Sequence, residues 1–594
     1  MCGIIGFMGK GDAGNFSAVD NVVAGLKALE YRGYDSAGVC WIDGSALKVV
    51  KAVGHVDMLA NKVAGAGAGA TIAIGHTRWA THGGVTESNC HPHLSSDGRV
   101  AVVHNGIISN FVELRNELKK GGAKFSSDTD TEVIPNLIAK HLREGTGEKL
   151  TGALSQGAHG SISAVSLFDA VKAACKELVG SYAFLAVRAG GDEIVAAKHG
   201  RQPLAVGTGA TRGENGGFVY LTSDLPTAAD RCKTLYTIEE NEFAVIRRGG
   251  VKFYFGDKEI DKVPLKFRTK TEKVDKGAFS TYMEKEIFEI PSVIGRINTE
   301  YAETVKTDEW AEMNTKIKNA GTVHIAACGT SYHAGLRIAH EIERNLKKRT
   351  KIHYASELIH NLPYIDERDI AIVISQSGET ADTLSALLYF KSQNLYTIGI
   401  CNVEGSSIAR YVDMYLPTHA GREVAVASTK AYIAQILVGM VIVSPSFDKL
   451  LGEMARVCQD ILDTAPEIKE KAKQYANVKQ MFILGKGVET VTALECALKI
   501  KEITYKHCEG FPAGELKHGT LALVDKDTLS IGIGDNVQNA LHEVEARGSA
   551  VWQVPAVKGG MAVLYGMLFA LFLCQELKYD PDKPRNLAKS VTVE

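Results

Sequence analysis

The chain is 594 residues long, 45% hydrophobic and 23% charged, which is the composition of packed domains and leaves little room for long disordered segments. Lys and Arg (67) nearly balance Asp and Glu (69), so no global field favours nucleic acid or an anionic membrane, and any anionic ligand must be held by a local site. At about 100 to 200 residues per domain the length suggests three or four domains. The eleven cysteines are scattered, odd in number and without a CxxC pair, so a disulfide framework is not expected and a reducing, cytoplasmic setting is. Cys90, His91 and His93 cluster, but Pro92 separates the histidines and no fourth ligand is spaced to join them, so no metal is expected.

The opening MCGIIGFMGK has no basic region ahead of its apolar stretch, which glycines and Lys10 interrupt, so it does not read as a secretory signal. It places a cysteine at position 2, before Gly3. Removal of Met1 would leave a thiol and a free α-amine on one residue, so that nucleophile and base coincide. The ordinary alternative is a chance cysteine in an N-terminal strand. Residues 1–245 then carry short β-rich runs (Thr71–Gly75, Val100–Val103, Tyr182–Val187, Phe243–Ile246) and helical patterns such as Ser17–Leu29, which predicts an α+β layered domain. Within it, Glu144–Ser166 is rich in Gly, Ser and Thr and reads as a surface insertion.

Three strings in this half carry chemistry. HTRWATHG (His76–Gly83) puts Arg78 past a strand end, where a planar fork suits a carboxylate. HNGII (His104–Ile108) also follows a strand, and Asn105 with Gly106 offers a side-chain amide and a backbone N–H, the parts of an oxyanion hole. TDTE (Thr129–Glu132) offers Asp130 as counter-charge for an amine. Taken singly these are a surface arginine, an Asn-Gly turn and a helix cap.

The densely charged stretch 246–285 reads as a linker. Beyond it, buried strands (Val323–Ala327, Ile370–Ile374, Tyr396–Ile400) alternate with helix-length segments, the pattern of a parallel sheet with crossover helices. The pattern repeats. A strand ending in glycine and an E-L-x-H element recur, the latter at Glu357/His360 and Glu515/His518, so two homologous α/β units are expected over 286–450 and 451–584, followed by a tail at 585–594. The apolar run Met561–Cys574 is shorter than the roughly 20 residues that span a bilayer and reads as a core helix.

CGTSYHAG (Cys328–Gly335) and SQSGETADT (Ser375–Thr383) each follow a strand and precede a helix, where a phosphate meets unpaired N–H groups and a positive dipole end. Ser375, Gln376, Ser377 and Thr380 add donors; simple helix capping is the alternative. No GxxxxGK[ST] pattern is present, which disfavours a nucleoside triphosphate. The matching strand end in the second copy reads GIGDN and lacks this loop. In ALECALKIKEITYK, Glu495, Lys499 and Glu502 share one helix face, and His518 and Lys589 follow later; an amine near acids and a histidine suits imine and proton-transfer chemistry.

With EYRGYDSAG (Glu30–Gly38), the first-half strings resemble the glutaminase domain of the N-terminal-nucleophile amidotransferases. The second-half strings resemble the paired sugar isomerase (SIS) domains of the glutamine–fructose-6-phosphate aminotransferase family. The resemblance implies an α/β chain: a four-layer α+β N-terminal-nucleophile hydrolase domain followed by two doubly wound parallel domains. It implies that Cys2 attacks the glutamine amide, that Arg78 and Asp130 hold the amino acid, that Asn105 and Gly106 hold the oxyanion, and that Trp79 borders the ammonia route. His82 is left open between packing and substrate contact.

In the second half it implies phosphate binding by Ser375, Gln376, Ser377 and Thr380, and a sugar site lined by Cys328, Gly329, Thr330, Ser331, Val426 and Ser428. His518, donated by a second copy in a homodimer, would open the sugar ring. Lys589 would form the imine, Glu502 would shuttle the proton between C1 and C2, and Lys499 would assist. Fructose 6-phosphate and glutamine would give glucosamine 6-phosphate and glutamate with no cofactor. The segment 536–581 is shorter than the family's usual second isomerase domain and is expected to lack a strand-loop unit after Trp552. A phosphoribosyl-transferring amidotransferase should show a pyrophosphate motif, and an asparagine synthetase an ATP loop; neither is present. A sugar-phosphate sensor is the contrasting class, against which the intact Cys2, Glu502, His518 and Lys589 speak.

Overall fold

Strand Gly3–Gly9 alternates its side chains between two apolar layers: Ile4 and Met8 point one way, Ile5 and Phe7 the other, and all are buried. Both faces need cover, and this sets the architecture of the N-terminal unit in the computed structural model, which describes residues 2–9, 17–79, 83–144, 165–210, 217–248, 250–265 and 275–591. Two units, Met1–Thr271 (with Val591–Glu594) and Glu272–Ser590, divide the chain.

In the first unit two antiparallel sheets face each other. One runs in the order Thr234–Thr237, Ala205–Ala210, Gly217–Thr222, Gly3–Gly9, Ile72–Arg78, Ser36–Asp43, Ala46–Val53. The other runs Lys258–Ile260, Gly250–Phe255, Glu242–Arg247, Glu193–His199, Gly180–Arg188, Val100–Ile108, His93–Leu94. Ile4, Ile74, Val103, Leu185 and Leu221 fill the space between them. Helices cover the outer faces: Ala18–Ala28 packs Val19, Val22 and Leu26 on the first sheet, and Val133–Glu144 packs Ile134, Leu137 and Ile138 on the second. The result is the four-layer α/β/β/α arrangement. Ser17 caps the first of these helices by accepting from the Asp20 N–H at 3.1 Å.

The second sheet continues beyond residue 245 into Gly250–Phe255 and Lys258–Ile260, so the stretch expected to be a linker begins inside the sheet. Its high charge misled because Lys258–Ile260 is the edge strand of the sheet and Gly250–Phe255, beside it, is only partly buried. Most of the expected 144–166 insertion lies outside the described residues, as does His82.

The second unit holds two parallel sheets with the same strand order. One is Arg349–Tyr354, Thr322–Ala327, Ile370–Ser375, Tyr396–Cys401, Met414–Pro417; the other is His507–Pro512, Gln480–Gly485, Thr528–Ile533, Ala550–Val554. The repeat read from the sequence is thus a repeat of topology, and the second sheet has one strand fewer among the described residues. Helices Phe447–Asp463 and Ala465–Gln474 come before the second sheet. Helix Val563–Glu576 lies in the core. The stretch Lys558–Glu576 is long and apolar enough to cross a membrane, but it is 83% buried within the fold, as a core helix should be.

Candidate active sites

The first site assembles at the ends of neighbouring strands. Cys2 precedes strand Gly3–Gly9, which pairs with Ile72–Arg78, so position 2 meets the residues after that partner strand. The Trp79 backbone N–H donates to Cys2 Sγ at 3.3 Å, and the thiol lies 3.5 Å from the Trp79 carbonyl oxygen. Burial pushes the Cys2 thiol above its ordinary range, while the N-terminal charge, the Trp79 hydrogen bond and Arg78 pull it back.

Asn105 donates through Nδ2 to the Cys2 carbonyl oxygen at 3.1 Å, and its Oδ1 lies 3.0 Å from His76 Nε2. A neutral His76 carrying its proton on Nε2 therefore fixes which end of the amide faces Cys2. Burial holds His76 down at about 3, so it stays uncharged. His91 stacks on it at 4.1 Å between ring centres, and His93 lies 4.7 Å beyond. His91 Nδ1 accepts from the His104 N–H, and His93 Nε2 meets Thr129 Oγ1 at 3.1 Å. The histidines beside Cys90 are thus core groups with internal partners, and no group of metal ligands occurs among the described residues.

HNGII lies inside strand Val100–Ile108, neither after a strand nor in a turn. Gly106 sits there at φ 128°, and a Cβ on it would lie 2.0 Å from the Ser181 carbonyl oxygen. Arg78 ends its strand and is buried. It donates to the carbonyls of Gly83 and Gly84 at 3.1 Å each, which aim the fork. Asp130, also buried, accepts from the Ile108 N–H at 2.8 Å. Trp79 packs edge-on against Tyr34.

The second site lies at the carboxyl ends of the first parallel sheet. Strand Ile370–Ser375 leads into a loop closed by Ser375 Oγ and Thr380 Oγ1 at 2.9 Å, and Ser375 Oγ accepts from the Gly378 N–H. Thr380 stands at the N-cap of helix Ala381–Ser392. Gly378 adopts φ 66°, and a Cβ there would meet Ser406 Oγ at 2.0 Å. Ser377 Oγ bonds Ser590 Oγ at 2.8 Å, which ties the C-terminal tail to this loop.

Cys328 caps helix Gly329–Leu346, opening that helix on the same crevice. Thr330 donates to Glu495 at 3.0 Å and accepts from Lys499 at 2.9 Å, and Gln435 donates to Ser331 at 3.0 Å. Lys499 bridges Glu502 at 2.6 Å and Glu495 at 3.4 Å. Burial works against its charge, but the two carboxylates raise it above the ordinary lysine range. Burial outweighs Lys499 at Glu502 and raises that carboxyl, which suits a group that must both hold and release a proton.

Lys589 is buried against Glu423, which also accepts from Ser428 at 2.7 Å and from the N–H groups of Thr429 and Ala431. Burial opposes the Glu423 charge, yet Lys589 pulls it well down. Glu286 accepts from the Val424 N–H at 2.5 Å, and burial together with Glu423 raises it. Val426 donates to the Asp582 carbonyl in the loop that carries the tail. Neither Glu423 nor Glu286 stood out in the sequence. The only signal was their nearness to Val426 and to the start of the second half. His518 is the exception among the candidates: it is exposed, in the 3₁₀ turn Ala513–His518, and meets none of the residues above.

A family profile described as the SIS domain matches residues 316–445 and 474–552, and one described as a glutamine amidotransferase domain matches 62–155. A protein of Clostridium acetobutylicum named glutamine–fructose-6-phosphate aminotransferase [isomerizing] is 37% identical, the alignment covering all of both chains. One of Aquifex aeolicus with the same name is also 37% identical over all of both chains. The solved C-terminal domain of a glucosamine-fructose-6-phosphate aminotransferase from Francisella tularensis covers 52% of this chain and 100% of its own, at 30% identity and a TM-score of 0.47.

Proposed function

The chain belongs to the isomerising glutamine–fructose-6-phosphate aminotransferases, and from that membership we infer which of its side chains carry each step. The reaction moves the amide nitrogen of L-glutamine to D-fructose 6-phosphate with isomerisation, giving D-glucosamine 6-phosphate and L-glutamate.

In the first unit, Cys2 Sγ attacks the amide carbon, and the α-amine exposed by loss of Met1 takes the thiol proton and passes it to the leaving ammonia. Asn105 Nδ2, held by His76, and the Gly106 N–H stabilise the tetrahedral oxyanion. Arg78 binds the α-carboxylate and Asp130 the α-ammonium, with Trp79 beside the thiol at the exit of ammonia. Thioester hydrolysis then releases glutamate.

In the second unit, Ser375, Gln376, Ser377 and Thr380 at a helix N-terminus hold the phosphate, and Cys328 to Ser331, Val426 and Ser428 line the sugar. Lys589 condenses with the C2 carbonyl and loses water to form an imine, which ammonia then displaces. Glu502 carries the proton from C1 to C2, and Lys499 steadies its charge. His518 opens the sugar ring from a second copy of the chain, so the working form is a homodimer. A cytoplasmic location fits the free cysteines.

The bond from Ser590 to Ser377 supports this reading most directly, because it brings the imine lysine to the phosphate loop. Lys589→Ala is expected to keep basal glutamine hydrolysis and lose amination, and borohydride is expected to trap fructose 6-phosphate on the parent protein but not on the variant. Amination surviving in Lys589→Ala would remove the lysine from the mechanism.

A further inference from the structure

The second parallel sheet lacks the Ser-Gln-Ser loop, yet a cavity of about 470 Å³ opens beside its carboxyl end. Two helices hold equivalent places in the repeat: Gly329–Leu346 after strand Thr322–Ala327, and Glu489–Thr504 after strand Gln480–Gly485. Counted from the first residue of those strands, Arg337, Glu341 and Arg344 stand where Glu495, Lys499 and Glu502 stand. One helix presents acid–base–acid to the catalytic crevice. The other presents base–acid–base to this cavity, which all three of its charged residues line. The contacts are reciprocal as well: Glu495 and Lys499 reach Thr330 near the start of one helix, and Arg337 reaches Glu489 at the start of the other, at 3.7 Å.

The missing strand shapes the mouth. In the first sheet, Met414–Pro417 comes between strand Tyr396–Cys401 and helix Lys430–Val443; in the second, the chain passes from Ala550–Val554 to helix Val563–Glu576 without one. This short connection puts Val557, Lys558 and Gly559 on the cavity wall. Gly559 takes φ 73°, and a Cβ there would lie 2.1 Å from Met454 Cε, so the loop is seated closely on the floor.

The lining defines a chemistry. Arg337 is only 6% exposed: its Nε and Nη2 pair with Glu341 at 3.2 Å, while its Nη1, an ion-pair distance of 3.7 Å from Glu489, has no hydrogen-bond partner. Arg344 stands exposed at the rim, and Lys558 is reachable there although it pairs with Glu453 at 2.8 Å. Glu341 and Glu489 face the same space, over a floor that includes Met440 and Met454. Cations and carboxylates side by side suit a zwitterion better than a plain anion, which would meet both carboxylates. No aromatic ring lines the cavity, so nothing there stacks a nucleobase.

We propose that this cavity is a second ligand site, separate from the catalytic crevice, for a phosphorylated amino sugar. Arg344 and Lys558 take the phosphate, Arg337 Nη1 donates to a ring oxygen, and Glu341 and Glu489 accept from the ammonium. Glucosamine 6-phosphate, the product of the reaction, carries both groups and is the probe.

Titration calorimetry of the full chain with glucosamine 6-phosphate is expected to show two sites per chain. In the Arg344→Glu/Lys558→Glu double variant one site should remain and the other weaken by about tenfold or more. Ala556→Trp, which blocks the mouth from an exposed position, should give the same loss. Fructose 6-phosphate, without an ammonium, should fill one site only. Turnover at saturating substrates, measured on the same samples, should be unchanged, which keeps this result separate from the assignment of the catalytic residues. A single site in the parent protein, or an unchanged isotherm in both variants, would overturn the proposal. Fructose 6-phosphate filling both sites would overturn the part given to the carboxylates.

Discussion

Asn105 shows how much of the role proposed for a residue is set by a neighbour. Its side chain can serve the proposed oxyanion only if Nδ2 faces Cys2, and His76, on a strand of the facing sheet, enforces that direction. Cys2, Arg78 and Asn105 stood out as candidates because each sits in a short string with its own chemistry. His76 was legible only as part of such a string, since its bond to Asn105 spans the gap between two strands. Glu423 was not legible at all: it contacts Lys589 across 166 positions, and no local pattern announces such a pair. Cys2→Ala is expected to abolish glutamine hydrolysis while fructose 6-phosphate isomerisation persists, as read by separate glutamate and sugar assays; surviving glutaminase activity would exclude Cys2 as the nucleophile. Glu423→Gln should lower amination by about tenfold or more by freeing Lys589 from its fixed position, and leave basal glutamine hydrolysis intact. Equal loss of both activities would mark the change as structural.

Among the elements, strand Val100–Ile108 departs from the reading of its sequence. Asn-Gly usually marks a turn, but here the pair continues a strand, and the glycine is required by close approach to the neighbouring backbone. Local propensity gave way to packing between two sheets. Gly106→Ala is therefore expected to destabilise the first unit by about 2 kcal/mol or more, read as a lower thermal midpoint. An unchanged midpoint would contradict the tight contact with Ser181.

The buried histidines add a pH dependence to the same layer. His76 is held at about 3 in the fold, and burial also lowers His91, His93 and His104. The unfolded chain, near 6.5, takes up these protons first as pH falls. Their neutral burial therefore costs nothing above that value, and stability declines progressively below it, for His76 down to about 3, by up to about 1.4 kcal/mol per pH unit for each histidine. The first unit's thermal midpoint should fall between pH 7 and 5, and His93→Gln should flatten that slope. A midpoint insensitive to pH in this window would show that these rings are not held neutral.

For the whole molecule, the alternation of strand and helix and the recurrence of E-L-x-H were enough to read two parallel units, because buried strands and repeated glycine ends leave strong signals. The boundary near residue 245 was not readable, because charged, partly exposed strands at the end of a sheet look like a linker. Nor could the sequence alone show that His518 stands apart from the other candidates within its own chain. If a second copy supplies it, two inactive variants should complement each other. Co-expressed His518→Ala and Glu502→Gln chains are expected to recover roughly a quarter of parental amination, since half of randomly paired dimers carry one intact site. No recovery in demonstrated mixed dimers would mean that each chain uses its own histidine.

The central claim is that the nitrogen released by Cys2 is the nitrogen delivered to the ketose at Lys589. Purified protein given amide-labelled glutamine, fructose 6-phosphate and excess unlabelled ammonium tests it directly. The expected result is glucosamine 6-phosphate that carries the label undiluted, formed in step with glutamate. Labelled nitrogen appearing only as free ammonium, or an amino sugar carrying mostly unlabelled nitrogen, would contradict it.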